Sequence, residues 1–320
     1  MSSPPSIELR STVSFVGIGN MGLAMVGRLR DLGWPVAVCD IDEAACSRAR
    51  ELGAQVHASP LALARAMPTD GLVVVAVVDA AQCRDVMWGD VDGADQTVAP
   101  CHWRGLGAAQ ALQPGQTVMW CPTISPADVE TLAGRLAVQG VHSIDAPMSG
   151  GPARARAGSM SLMVAGASEV VMQHEPVLSA LANPVFRLGE RLGDGARTKL
   201  VNNLLAGINL VGAAEVLALA ANMGLDMSRT LDVIGQSSGQ SWIGDDRMRR
   251  AVAHDLVPRA HMSLLAKDTR LANEAAAAAG FAGPLGARAA AVFRAACESG
   301  LSELDDSALL LFLQQHGQSR

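Results

Sequence analysis

Residues 12–22, Thr-Val-Ser-Phe-Val-Gly-Ile-Gly-Asn-Met-Gly, decide the fold of this chain. The first five favour an extended strand, because β-branched and aromatic side chains fit a pleated, buried surface. The strand runs into Gly17-Ile18-Gly19-Asn20-Met21-Gly22. Behind that turn Met25, Val26 and Leu29 recur at helical spacing until Gly33 closes the run. A second buried-type strand over residues 35–39 ends at Asp40, 23 residues after Gly17. Strand, glycine turn, helix and acid-tipped strand together make the dinucleotide fingerprint. Gly17 permits the tight turn, Gly19 lets backbone approach a pyrophosphate, Gly22 lets helix pack on strand, and Asp40 takes a ribose hydroxyl. Asn20 and Met21 complete the phosphate-facing turn. A carboxylate repels a 2′-phosphate and no arginine directly follows Asp40, so NAD is favoured over NADP.

The alternation continues outward from this unit. Residues 43–52 read as helix, 55–57 as a short strand, 59–66 as helix and 72–78 as a fully apolar strand. Continuous apolar strands separated by helices mean a parallel sheet covered on both faces, a doubly wound α/β domain of Rossmann type. Ligands of such sheets bind beyond the strand carboxyl ends, which points to Val77 and Val78 and, after the strand at 117–121, to the turn holding Thr123. Between those strands, residues 89–114 form a connection longer than most loops of a compact domain, with Cys101, His102 and Trp103 in its middle. No further residues stand at metal-ligand spacing from the Cys-His pair, so this is expected to be a surface loop.

Composition bounds the function. At 320 residues, 49% hydrophobic and 18% charged, the chain can bury two cores. A net charge of -6 with no basic tract leaves no footprint for nucleic acid. The first ten residues lack the apolar core of a signal peptide. The six cysteines are scattered, without Cys-x-x-Cys spacing, as in a reduced cytoplasmic protein. The seven histidines form no ligand pair at helical or turn spacing, so no metal is expected. The most apolar stretch, residues 200–221, is interrupted by Asn202, Asn203, Asn209 and Glu215. It therefore reads as a buried helix and not as a membrane span.

Two further stretches carry chemistry. A strand over residues 141–144 ends in Asp145-Ala146-Pro147-Met148-Ser149-Gly150-Gly151-Pro152. Serine with two glycines at a strand end offers a hydroxyl and open amides, either an anion cradle or an ordinary turn. Further on, the glycine-flanked Gly193-Asp194-Gly195 precedes Lys199-Leu200-Val201-Asn202-Asn203 at the head of the apolar helix. Residues three and four apart share a helix face, so Lys199 stands beside Asn202 and Asn203. Burial near the positive end of a helix dipole lowers lysine's proton affinity and suits a general acid/base. Alone, the grouping also fits a snorkelling lysine with two amides that cap backbone. From there the alternation stops. Helices are expected over 200–225, 228–234, 242–253, 263–279, 284–298 and 305–314, which makes residues 1–193 a Rossmann domain and 194–320 an all-helical one.

With these motifs in place, the chain resembles the β-hydroxyacid dehydrogenase family over residues 12–313, the family that includes 3-hydroxyisobutyrate dehydrogenase, tartronate semialdehyde reductase and the 6-phosphogluconate dehydrogenases. The resemblance rests on the Gly17 to Gly22 turn, the Asp145 to Gly151 loop, the Gly193 to Asn203 stretch and Lys267-Asp268. It implies that Lys199 is the acid/base, that Ser149, Gly150, Gly151 and Asn203 hold the carboxylate substrate, and that Thr123 and Lys267 reach the nicotinamide cofactor. It also implies a homodimer or homotetramer. Softer motifs are similar to the L-threonate dehydrogenase branch: Val78-Asp79-Ala80-Ala81-Gln82, Ser241-Trp242, Pro258-Arg259 and Asp305-Asp306-Ser307-Ala308. The sequence departs from that branch in the long 89–114 connection, in Cys121-Pro122 and in Arg154. Arg154, Arg156 and Arg197 could read an acidic substrate tail or form a solvated basic rim.

Overall fold

The computed structural model describes residues 10–89 and 101–316. Residues 1–9 of the chain's start and residues 90–100 of the long connection lie outside the described residues. Contacts divide the chain into two units, Met1–Arg197 and Thr198–Arg320.

The first unit is a nine-stranded sheet with helices on both faces. In chain order it runs β1 Val13–Val16, α1 Asn20–Asp31, β2 Val36–Cys39, α2 Glu43–Glu51, β3 Gln55–Val56, α3 Pro60–Arg65, β4 Leu72–Val75 and α4 Ala80–Trp88. There follow β5 Thr117–Trp120, α5 Pro126–Ala137, β6 His142–Asp145, β7 Met148–Ser149, α6 Gly151–Ala157, β8 Met160–Ala165, α7 Ser168–Gln173, α8 Glu175–Leu181 and β9 Ala182–Gly189. Strand order is β3-β2-β1-β4-β5-β6-β8-β7, with β9 also paired to β8. The pairs from β3 through β6 are parallel, and β8 runs antiparallel to β6 and β7. All four residues of β1, β2, β4 and β5 are buried, as strands with a helix layer on each side must be. Two apolar cores result, one around Phe15, Val38, Leu29 and Ile144, the other around Val73, Val118, Trp120 and Leu132.

The doubly wound sheet is therefore as expected over residues 12–145. The strands β7, β8 and β9 have no counterpart in the sequence reading. β7 has two residues, and β9 is mostly exposed and meets β8 with register shifts, so neither shows a period-2 pattern.

The second unit is helical. Its elements are α9 Asp194–Asn222, whose first turn belongs to the first unit, then α10 Met227–Gly235, α11 Trp242–Val252, α12 Met262–Ala278, α13 Pro284–Ala296 and α14 Leu309–His316. Leu210, Leu217, Met248, Met262, Phe293 and Leu309 make its core. By length and composition α9 could cross a membrane, with a mean hydropathy of 1.9 in its most apolar window; 33% of that window is buried, less than the buried helix expected from the sequence, and Leu210, Ala214, Leu217 and Ala218 join the core of this unit. Asp305 organises the other end, accepting from the Arg250 guanidinium at 2.8 Å and from the amides of Arg259 at 2.8 Å and Ser307 at 3.0 Å. Burial alone would raise that carboxyl. Its Arg250, Ser307 and Arg259 partners hold it below the usual range instead. The Pro258-Arg259 and Asp305-Asp306 motifs thus meet in a structural ion-pair network.

Candidate active site

Within the first unit the glycine turn meets the requirements of a dinucleotide cradle. Gly17 has φ +88°, and a Cβ there would sit 2.8 Å from Val77 Cγ1 and 2.9 Å from the Ala76 carbonyl. A Cβ on Gly22 would fall 2.3 Å from the Gly17 carbonyl oxygen, so α1 and the turn touch backbone to backbone. Gly19 is the opposite case: a Cβ would meet nothing within 4 Å. Gly19 also caps α1 with no side-chain hydrogen bond to its first-turn amides, the arrangement a phosphate needs. The turn is tied to β2 by Asp40, whose carboxylate accepts the amide of Ile18 at 2.6 Å and that of Asp42 at 2.9 Å.

A cavity of about 230 Å³ opens beside this turn and is bounded in part by Gly17, Gly19, Asp40, Val77 and Val78. These five expected residues are brought together. Asn20 and Met21 stand in the first turn of α1, Met21 against the core, and with Gly22 and Thr123 they lie off the cavity wall. Thr123 follows β5, half-buried. The residues present fit a dinucleotide over the Gly17 to Gly22 turn, with the adenosine ribose toward Asp40.

Ser149 ends β7, followed by Gly150 at φ +129° and Gly151 at φ +75°, the latter open to space on its Cβ side. The arginines nearby have protein partners. Arg156 pairs with Asp31 through both terminal nitrogens, Arg197 bonds Glu130 at 2.7 Å and Asp194 at 2.9 Å, and Arg154 donates to the Ser159 carbonyl at 2.9 Å. Asp145 has a role its sequence position did not announce. Its Oδ2 accepts the amides of Gly193 at 2.9 Å and Ala196 at 3.0 Å, capping α9. Burial pushes its carboxyl up to about 6, opposed by the amides of Ala196, Gly193 and Gly195. This remote cap is why α9 begins at Asp194, ahead of the expected start at 200, and takes Gly195 into its first turn. A Cβ on Gly195 would strike the Met163 carbonyl at 2.6 Å and the Asp145 carboxylate at 2.8 Å.

In the second unit Lys199 is 7% exposed and Asn203 is 8% exposed, one turn apart on α9. Burial lowers the Lys199 ammonium from 10.5 to about 8; Asp268 opposes that shift and Lys267 adds to it. Asn203 Nδ2 donates to Asp268 Oδ2 at 2.6 Å, and Asn202 Nδ2 donates to Asn203 Oδ1 at 3.1 Å. The other oxygen of Asp268 pairs with Lys267 Nζ at 3.1 Å. Asp268, not among the expected site residues, thus orients the Asn203 amide and sets part of the field on Lys199. Only its place next to Lys267 in the sequence hinted at it. Among the described residues no group of three or more His, Cys, Asp or Glu is placed to hold a metal ion.

Comparison with known proteins agrees with this geometry. Residues 12–189 match the NAD-binding domain of 6-phosphogluconate dehydrogenase, and residues 193–313 match the NAD-binding family model of NADP-dependent 3-hydroxyisobutyrate dehydrogenase. L-threonate dehydrogenase of Cupriavidus necator is 34% identical over 93% of this chain and 94% of its own. Human mitochondrial 3-hydroxyisobutyrate dehydrogenase is 28% identical over 97% and 89%. A crystal structure of 3-hydroxyisobutyrate dehydrogenase from Salmonella typhimurium superposes with a TM-score of 0.83 at 32% identity, covering 94% of this chain and 99% of that one. Fold and site define an NAD(P)-dependent oxidoreductase acting on CH–OH substrates, small hydroxy acids among them. The chain belongs to the β-hydroxyacid dehydrogenase family.

Proposed function

We propose that this protein transfers hydride between a short β-hydroxy acid, an L-threonate-like sugar acid, and the nicotinamide, with NAD in preference to NADP and with Lys199 as general acid/base. The observation that carries the proposal is the buried Lys199 at about 8, one turn from an Asn203 amide that Asp268 holds in place. Such an amine exchanges protons near neutral pH, which a solvated lysine does not. The bound nicotinamide supplies the two-electron acceptor. The chain's residues do the rest. Lys199 as free base takes the hydroxyl proton, Asn203 orients the hydroxy acid without pinning the lysine in an ion pair, and Ser149 with the Gly150 and Gly151 amides grips the carboxylate. Thr123 and Lys267 position the nicotinamide half, and Asp40 selects NAD by its charge against a 2′-phosphate.

The threonate preference is supported by the curated relatives at 34% identity that bear that name. Activity on 3-hydroxyisobutyrate or tartronate semialdehyde is the alternative, and the Salmonella structure favours the first of these. These substrates differ by pocket contacts of a few kcal/mol. We also propose a cytoplasmic homodimer or homotetramer. Val201, Leu205 and Leu219 of α9, at 72%, 59% and 54% exposure, offer an apolar face that a second copy would cover. The six cysteines are free thiols, as in a reducing compartment.

The test is NADH formation from a panel of threonate, erythronate, 3-hydroxyisobutyrate, glycerate and serine, repeated with NADP. Threonate should give the highest kcat/KM. A clear preference for 3-hydroxyisobutyrate would replace the sugar-acid assignment, and silence across the panel with NAD bound would end it.

A further inference from the structure

The segment from Cys101 to Gly107 is expected from its composition to be a surface loop, yet it is built tightly onto α4. The buried Asp85 side chain on that helix gathers three donors from it: the amide of His102 at 2.9 Å, the amide of Trp103 at 3.0 Å and the Cys101 thiol at 3.1 Å. Two glycines allow close backbone contact. A Cβ on Gly89 would lie 2.1 Å from the Trp103 carbonyl oxygen, and one on Gly107 would lie 2.4 Å from that of Met87. A further bond ties the segment to α3, the Leu61 amide donating to the Leu106 carbonyl at 2.9 Å. So much anchoring fixes where His102 and Trp103 stand. Both line the cavity that holds Gly17, Gly19 and Asp40.

Position within that cavity gives them a task. The glycine turn takes the pyrophosphate and Asp40 the adenosine ribose, so the base lies beyond Asp40, where the wall includes Ile41, Ala81, Gln82, Asp85 and Val86 with His102 and Trp103. That wall sets aliphatic side chains and an indole beside three polar groups, Gln82, Asp85 and His102, a mixture that suits a flat heteroaromatic ring with hydrogen-bonding edges. We infer that His102 and Trp103, held on Asp85, form the adenine-binding wall of the nucleotide cleft and are positioning residues for the cofactor. The inference rests on the nucleotide site described above and concerns its adenine end alone.

The test separates the two halves of the cofactor. His102→Ala removes a half-exposed imidazole whose Nδ1 lies 3.6 Å from Asp85 Oδ2 but keeps the backbone bond to Asp85; Trp103→Leu keeps apolar volume but loses the ring, and circular dichroism checks the fold of both. Titration with AMP, NAD and nicotinamide mononucleotide gives the dissociation constants, and steady-state kinetics give kcat at saturating NAD. Loss of an aromatic platform under a base should weaken AMP and NAD about tenfold in Trp103→Leu and several-fold in His102→Ala. Nicotinamide mononucleotide affinity and kcat should stay unchanged. AMP should also quench tryptophan fluorescence in the wild type and less in Trp103→Leu. AMP and NAD affinities within twofold of wild type in both folded variants overturn the inference while leaving the cofactor site intact. Failure of the wild type to bind AMP or NAD overturns both.

Discussion

Replacing Asp268 by asparagine tests whether the field on Lys199 is what the structure implies. Burial holds Lys199 at about 8 even though Asp268 pulls the other way. At pH 7.5 about a quarter of such a lysine is free base, against about one in a thousand at its ordinary 10.5, a gain of about 200-fold in the active form. Asparagine keeps the shape of the Asp268 side chain and an oxygen to accept from Asn203, but removes the negative charge. Desolvation and the Lys267 ammonium then act unopposed. Removal of one nearby opposite charge shifts a pKa by about one unit. The acid limb of kcat/KM against pH, measured for hydroxy acid oxidation between pH 6 and 9.5, should therefore move from near 8 to near 7. KM should rise several-fold, because the 2.6 Å bond from Asn203 loses its charged acceptor. A limb that stays at 8, or moves up, in a variant with a wild-type melting curve would refute the electrostatic argument.

Three other outcomes follow from the same geometry. Gly22→Ala should destabilise the fold by about 1–3 kcal/mol, because its Cβ would enter the Gly17 carbonyl, whereas Gly19→Ala should change stability by less than about 1 kcal/mol yet weaken NAD binding. Equal melting temperatures for the two variants, or unchanged NAD affinity in Gly19→Ala, would contradict the division of labour within the turn. Asp40→Ala should narrow the preference for NAD over NADP and, since it also frees the amides of Ile18 and Asp42, weaken both cofactors; an unchanged NAD to NADP ratio means that another residue reads the ribose. Lys199→Met should raise stability at pH 7 by up to about 3 kcal/mol, because the folded pKa of about 8 lies below the unfolded 10.5 and the unfolded state binds the extra proton in between. That gain should shrink as pH climbs from 8 through 10.5, and chemical denaturation at several pH values that shows no gain at pH 7 would argue against a buried ammonium.

The first half of the sheet was legible because its signals are local. Gly17, Gly19, Gly22 and Asp40 lie within one strand-helix-strand unit, and β1, β2 and β4 are buried on both faces, so their residues are uniformly apolar. Lys199 and Asn203 were legible for the same reason, as an i, i+4 pair in an otherwise apolar helix. What escaped depends on contacts distant in sequence. Asp268 reaches Asn203 across 65 positions, and within residues 263–279 only its place beside Lys267 sets it apart from the other acid of that helix. His102 and Trp103 look like loop residues until Asp85 is seen 17 and 18 positions back, gathering their amides. The arginines at 154, 156 and 197 look like a charged rim by composition, and only the structure shows Asp31 and Glu130 already facing two of them.

Asp145 shows how two of the family's motifs work as one device. In sequence it opens the Asp145 to Gly151 loop, and Gly193 to Asn203 stands 48 residues later. In the fold its carboxylate, at the end of β6, accepts amides on both sides of Gly195 and so sets the residue at which α9 begins. A helix start fixes the phase of everything behind it, since each residue turns about 100°. Lys199 stands about one turn beyond the capped Ala196 and Asn203 about two, so the cap fixes their phase about the helix axis. Gly195 is required at the contact, because any side chain there would meet Asp145 itself. The carboxylate also lies at the positive end of a 29-residue helix, which favours its ionised form at neutral pH despite burial. One buried carboxylate and one missing side chain thus set where the helix that carries the proposed acid/base begins.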